Sequence, residues 1–211
     1  NYHSDGSGVA YATMRRPMID KRVGQFHLMD PSPNGSGTYW IAADSYITDL
    51  LDRCGIPFEV ITDHDLHTEG ADLLARYQVV LTGQHPEYHT SETLDAIGTY
   101  LAGGGRLLYL GGNGFYWKVV PHPDGPSAFE VRRAEGGIRI WGTEPGEGYH
   151  AFDGSYGGLW RRLGRPLGGA AAAQHGRHAL GAQLGLDRID MGKHVWRKAA
   201  NAVKICAHFV L

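Results

Sequence analysis

A chain of 211 residues with 42% hydrophobic and 20% charged side chains is long enough to bury one sizeable core. Its net charge of −2, with the histidines neutral, argues against a nucleic-acid surface or an anionic membrane and favours a small neutral substrate or a protein partner. Cys54 and Cys206 lie far apart and outside any CxxC pattern, which reads as two free thiols of a cytoplasmic protein, and no apolar run approaches the ~20 residues of a membrane span.

The chain opens on Asn1, and residues 1–22 form a polar lead-in without periodicity, as in a fragment of a longer polypeptide. Residues 23–165 read as one α/β domain. A short strand is expected over 23–29, followed by a Pro- and Gly-rich loop over 31–37. Asp44 or Ser45 then offers an N-cap to a helix bearing Ile47, Leu50 and Leu51 and ending at Gly55. The next strand, 58–61, runs into Thr62-Asp63-His64-Asp65-Leu66-His67. That loop resembles a metal site in composition, but the simpler reading is turn and cap chemistry ahead of a short helix over 71–77.

The stretch the domain is built around is 78–117. Val79, Val80 and Leu81 make a buried strand that opens into Gly83-Gln84-His85-Pro86-Glu87-Tyr88. Thr90-Ser91-Glu92 offers N-cap chemistry to a helix with Leu94, Ile97 and Leu101 on one face, and Gly103-Gly104-Gly105 stops it. A second strand over 106–110 delivers the chain into Gly111-Gly112-Asn113-Gly114-Phe115-Tyr116-Trp117. A strand–helix–strand unit of this kind is a right-handed parallel crossover, so both loops fall on one edge of the sheet and Tyr88 and Tyr116 converge.

Alternation of strands and helices predicts a three-layer, mostly parallel sheet with helices on both faces, flavodoxin-like or glutamine-amidotransferase-like. A β-hairpin region follows, with Phe129–Arg133 side chains alternating and 138–141 as the return strand. The loop 143–152 is another polar, aromatic-bearing loop, and exposed aromatics from Tyr149 to Trp160 suit an interface, while Phe115, Trp117 and Trp160 read as walls of an apolar pocket or as core. Residues 166–211 form an atypical basic tail: 1–165 carry 14 Lys/Arg against 20 Asp/Glu, and 166–211 carry 6 against 2, a change from −6 to +4. A basic amphipathic helix over 195–210 is one reading, and a segment foreign to the preceding domain is the other.

The blocks VITDHDLHTEG, LTGQHPEY, LAGGGRLLYLGGNGFYW, RRAEGGIRIW, EPGEGYHAF and YGGLWRRLGRP together resemble the carboxyl-terminal domain of the large (beta) subunit of N,N-dimethylformamidase. The resemblance implies an amidohydrolase that splits a small N-substituted formamide into formate and an amine. It implies a mononuclear iron, Fe3+, held by two tyrosines and a glutamate. Tyr88 in HPEY and Tyr116 in GGNGFYW match the tyrosines, with Tyr149 in reserve. The resemblance places the glutamate downstream, in the region of the 166–211 tail, and matches it to none of the nearby carboxylates Glu87, Glu144 and Glu147. The resemblance also implies a hetero-oligomer, with a small second subunit and self-association as the expected partners.

Chemistry suggests further roles. His85 or Glu87 is placed to move a proton between water and the leaving amine, and Asn113 to hydrogen-bond a substrate oxygen. A thiol hydrolase is disfavoured because Asn113 stands where a nucleophile elbow needs Cys or Ser, and a dinucleotide site because Gly103-Gly104-Gly105 precedes its strand. The rival class is a non-catalytic scaffold or interaction module with an incomplete metal site.

Overall fold

The computed structural model describes residues 4, 9–13, 15, 41–110, 112–125, 127–133, 147–165 and, for the backbone, 203–206. The described chain mixes helices with small sheets. One sheet has four strands in the order β2 (Phe58–Ile61), β9 (Val203–Cys206), β3 (Val79–Thr82), β5 (Arg106–Leu108), and every neighbouring pair is parallel. A three-stranded antiparallel sheet joins β1 (Tyr11–Thr13), β8 (Ala128–Glu130) and β7 (Val120–Pro121). The third is a two-residue parallel ladder of β4 (Tyr88–His89) and β6 (Trp117–Lys118).

The period of two along β3 explains how the four-stranded sheet is covered. Val79 and Leu81 lie in one apolar cluster with Ile47 and Leu51 of α1 (Ile41–Arg53), Ile56, Phe58 and Leu108. Val80 lies in the other, with Leu66 of α2 (Asp63–Glu69), Leu73 and Leu74 of α3 (Ala71–Ala75), and Ala96, Ile97 and Tyr100 of α4 (Ser91–Ala102). Alternate side chains of a strand face opposite ways, so one short run serves two interfaces.

Helix α4 starts where its sequence says it should. Thr90 Oγ1 accepts the Thr93 N–H at 3.2 Å as N-cap, and after Gly103 the turn closes with Gly105 N–H donating to the Tyr100 carbonyl at 2.9 Å. A Cβ at Gly105 would stand 2.3 Å from the Tyr100 ring, so the close approach fixes that glycine. The Tyr100 hydroxyl donates to the Tyr77 carbonyl at 3.1 Å and accepts from Arg106 N–H at 3.2 Å, which locks the helix to the strand that follows.

Several expectations change. Helix α1 begins at Ile41, ahead of the expected caps Asp44 and Ser45. The helix expected over 71–77 is the shorter α3, and the strand expected over 106–110 ends at Leu108. The acid- and histidine-rich run after β2 is not a loop but helix α2, because Thr62 and Asp65 form a reciprocal capping box and Leu66 anchors the turn in the core. Strand β8 pairs with β7 and β1; the return strand expected over 138–141 lies outside the described residues, as does the strand expected over 23–29. Residues 203–206, expected within a helix over 195–210, instead form β9 between β2 and β3. Val203 and Ile205 are β-branched, and a slot with a parallel partner on each side outweighs a helical pattern there.

Candidate active site

The carboxyl ends of β3 and β5 point the same way and release two loops whose backbones are laced together. Thr82 Oγ1 accepts the Leu110 N–H at 3.1 Å, and the Gln84 carbonyl accepts Gly112 N–H at 2.9 Å. The Pro86 carbonyl accepts Phe115 N–H at 2.6 Å, and the Glu87 carbonyl accepts both Tyr116 N–H at 3.0 Å and Trp117 N–H at 2.8 Å. The ladder of β4 and β6 continues this lacing, with Tyr88 opposite Trp117. The two loops therefore converge as the parallel crossover requires.

Both loops carry unusual backbone demands. A Cβ at Gly83 would stand 2.9 Å from Asp44 Oδ1, because the buried Asp44 carboxylate reaches from α1 to accept the Gln84 N–H at 2.7 Å. In the second loop Asn113 and Phe115 hold φ of 51° and 55°, the left-handed region that a bulky aromatic rarely enters. The Tyr109 hydroxyl accepts the Gly114 N–H at 2.9 Å, and its ring lies so close that only glycine fits there.

Beneath the loops lies a buried aromatic floor. His89 is buried, stacks on Phe115 with ring centroids 4.6 Å apart, and turns Nε2 to the Pro86 carbonyl at 3.2 Å, so Nε2 is the protonated nitrogen. Trp117 and Trp160 are also buried, and Trp160 Nε1–H donates to the His89 carbonyl at 3.0 Å. Segment 147–165 is thereby fastened under the site, helped by Trp160 N–H to the Tyr116 carbonyl at 2.9 Å. Trp160, read from the sequence as pocket wall or core, belongs to the interior; of the aromatics from Tyr149 to Trp160 offered to an interface, Tyr149 and Tyr156 are exposed, as an edge-to-face pair at 5.0 Å.

The predicted site residues fall on this edge as follows. Tyr88 is half-buried, and its hydroxyl oxygen accepts a hydrogen bond from Arg133 Nη2 at 2.7 Å. Burial, and after it the charge of Glu87, pushes the Tyr88 phenol above its ordinary range, while Arg133 pulls it back. Glu87 is pushed up by burial, opposed by Arg133, His85 and a hydrogen bond from the Trp117 side chain. The His85 ring packs over Gly112, whose Cβ would stand 3.5 Å from His85 Cε1. Tyr116 meets the Trp117 ring edge-on at 5.3 Å, with the Arg161 guanidinium 5.8 Å from its own ring. Asn113 is exposed at the rim, the Tyr149 and Glu147 side chains are exposed, and Glu144 lies outside the described residues.

Among the described residues no three His, Cys, Asp or Glu side chains group as metal ligands, so a metal reading of this edge rests on its phenols. A phenol oxygen and a carboxylate are donors of the hard kind that Fe3+ takes, and the Tyr88 oxygen, an acceptor here, has Glu87 as its neighbour, whereas what ties Tyr116 to this edge is its backbone N–H. Sequence reasoning missed Arg133, which it read as one charged residue of a hairpin. The signal that marks it is a contact between residues 45 positions apart, and no local pattern carries that.

The sequence profile of the family described as N,N-dimethylformamidase beta subunit-like, C-terminal, matches residues 1–202. The chain belongs to that family. Within the N,N-dimethylformamidase beta subunit-like family, it is 43% identical over 164 residues to the N,N-dimethylformamidase beta subunit of Paracoccus aminophilus, a match that covers 77% of this chain and 20% of that protein. The N,N-dimethylformamidase beta subunit of an Alcaligenes species matches to the same extent. The chain spans about a fifth of the length of these curated relatives. No helix among the described residues is long and apolar enough to cross a membrane.

Proposed function

We propose that this chain is the iron-binding hydrolase domain of a formamide amidohydrolase, which splits a small dimethylformamide-like N-substituted amide into formate and an amine. The observation that carries this reading is the lacing of the two loops, in which the Glu87 carbonyl accepts from both Tyr116 and Trp117 and so draws the HPEY and GGNGFYW motifs together. Family membership supplies the reaction class. The same reading takes the parallel sheet, with α1 on one face and α2, α3 and α4 on the other, as the flavodoxin-like three-layer arrangement.

Tyr88 and Tyr116 would hold Fe3+, which supplies Lewis acidity toward an amide carbonyl when bound. The chain's own residues do the rest. Glu87, half-buried and with its carboxyl pushed up, accepts a proton from water and returns it to the departing amine nitrogen, assisted by His85 at its side. Asn113, held at the rim in a left-handed conformation, offers its side-chain amide to the substrate oxygen. Phe115 and Trp117 give the site an apolar wall that favours N-methyl groups and keeps bulk water away. A small second subunit and self-association complete the assembly, and the exposed Tyr149–Tyr156 pair is the surface offered to them.

Tyr88→Phe tests the reading directly. The variant keeps the fold, binds substantially less iron and loses formamide hydrolysis together with the visible phenolate-to-iron absorption of the parent. Undiminished hydrolysis in Tyr88→Phe would refute the assignment and leave the non-catalytic scaffold as the better account. Light scattering of the purified protein checks assembly, where a monomer counts against the partner reading.

A further inference from the structure

Arg133 enters the site from the strand β8 side, and its backbone is pinned before it arrives. Glu130, fully buried, accepts Ala151 N–H at 2.8 Å, Phe152 N–H at 3.0 Å and Arg132 Nε at 2.6 Å, so the chain at 130–132 is clamped to segment 147–165. Three donors around a buried carboxylate make a rigid node. One residue further on, the Arg133 guanidinium carbon sits 4.7 Å from the ring centroid of buried Trp117 and 6.0 Å from that of Tyr88, while Nη2 reaches the Tyr88 oxygen at 2.7 Å.

We propose that Arg133 is the positioning residue for the Tyr88 phenol oxygen, itself held over the Trp117 ring and fixing that oxygen through a charge-assisted hydrogen bond. A tyrosine hydroxyl stands at the end of a long lever with two rotatable bonds, and burying the ring does not by itself aim the oxygen. A cation held over one ring and bonded to the oxygen of another does. Glu87 faces the same guanidinium, so Arg133 also balances the charge of two adjacent oxygen donors. A small anionic ligand on Arg133 is disfavoured by that carboxylate. Arg161, over Tyr116 at 5.8 Å, is exposed and provides the contrast.

This inference rests on the iron reading only for its consequence at the metal; the aim of the phenol oxygen is a property of the metal-free protein. The test uses the 211-residue chain with isotope-labelled tyrosine ζ carbons, in which Tyr88→Phe identifies the Tyr88 resonance. Arg133→Met moves that resonance, Arg133→Lys moves it less because a cation and one donor remain, and Arg161→Met leaves it in place. In iron-loaded protein, loss of a hydrogen bond to a ligand oxygen makes that oxygen a better electron donor. The phenolate-to-iron band of Arg133→Met therefore shifts to longer wavelength, and that of Arg133→Lys returns part way. An unmoved Tyr88 resonance in both variants overturns the proposal, and an unmoved band in iron-loaded Arg133→Met overturns the role at the metal. A parent protein that shows no band sinks the iron reading instead, and the Tyr88 resonance alone then decides on Arg133.

Discussion

The segments that leave β2 and β3, residues 62–69 and 83–90, both carry threonine, carboxylate and histidine side chains, and they do opposite things. In the first, Thr62 Oγ1 accepts the Asp65 N–H at 3.1 Å, the Asp65 carboxylate accepts the Thr62 N–H at 2.9 Å, and a helix closes on itself. In the second, Gly83 is forced by the Asp44 carboxylate and Pro86 supplies no N–H, so no helix starts before Thr90. Its carbonyls bond outward to the loop after β5. A run of polar, potentially catalytic residues thus becomes a capped helix when its backbone can satisfy itself locally, and a shared loop edge when it cannot.

The sharpest way to break this contrast is at the shared edge. Trp117→Ala removes the buried ring under both loops and costs about 3–5 kcal/mol by chemical denaturation, and the proposed formamide hydrolysis falls with it. A loss no larger than that of an exposed side chain would mean the lacing does not depend on its floor. Next in size is Gly114→Ala, which drives a methyl group into the Tyr109 ring and costs about 1–3 kcal/mol, felt first as a rise in hydrogen exchange of the 112–117 amides.

The self-contained helix gives smaller and purely structural effects. Thr62→Ala costs about 1 kcal/mol through the lost cap and leaves the proposed hydrolysis at the parental rate; a large drop in rate would mean α2 contributes to the site. Smallest is the acid response of Asp65. The Thr62 hydroxyl, then the Thr62 backbone N–H, hold the Asp65 carboxyl below its ordinary value, so its stabilising contribution is complete above the unfolded-state pKa and is lost as pH falls toward the lower folded value. Asp65→Asn therefore flattens the acid limb of the stability profile over that window, and an unchanged limb would show that the capping box does not respond to charge.

His150 adds a third kind of environment. It is buried, and burial pushes its imidazole down against the opposing pull of Glu130. Its Nδ1 faces the Ser155 carbonyl at 3.2 Å, which makes Nδ1 the protonated nitrogen of a neutral ring. Nothing in the run Glu147-Gly148-Tyr149-His150 distinguishes this buried histidine from the half-buried His85, because the difference lies in what packs above each.

The sequence by itself determined the strand–helix–strand unit that begins at Val79, the stop of its helix at Gly103, and the meeting of two motif loops on one edge. Each of these follows from local periodicity, a cap and the handedness of a parallel crossover. The resemblance carried by HPEY and GGNGFYW determined the family. Only the tertiary structure decided that 62–69 would be helix, that Val203–Cys206 would fill the slot between β2 and β3, and that Arg133 would stand over Tyr88 and Trp117. Helix α2 needed Leu66 to find the core before its polar residues could serve as caps. Strand β9 and Arg133 needed partners distant in sequence, and the free energy of such contacts exists only once the chain has brought both partners together.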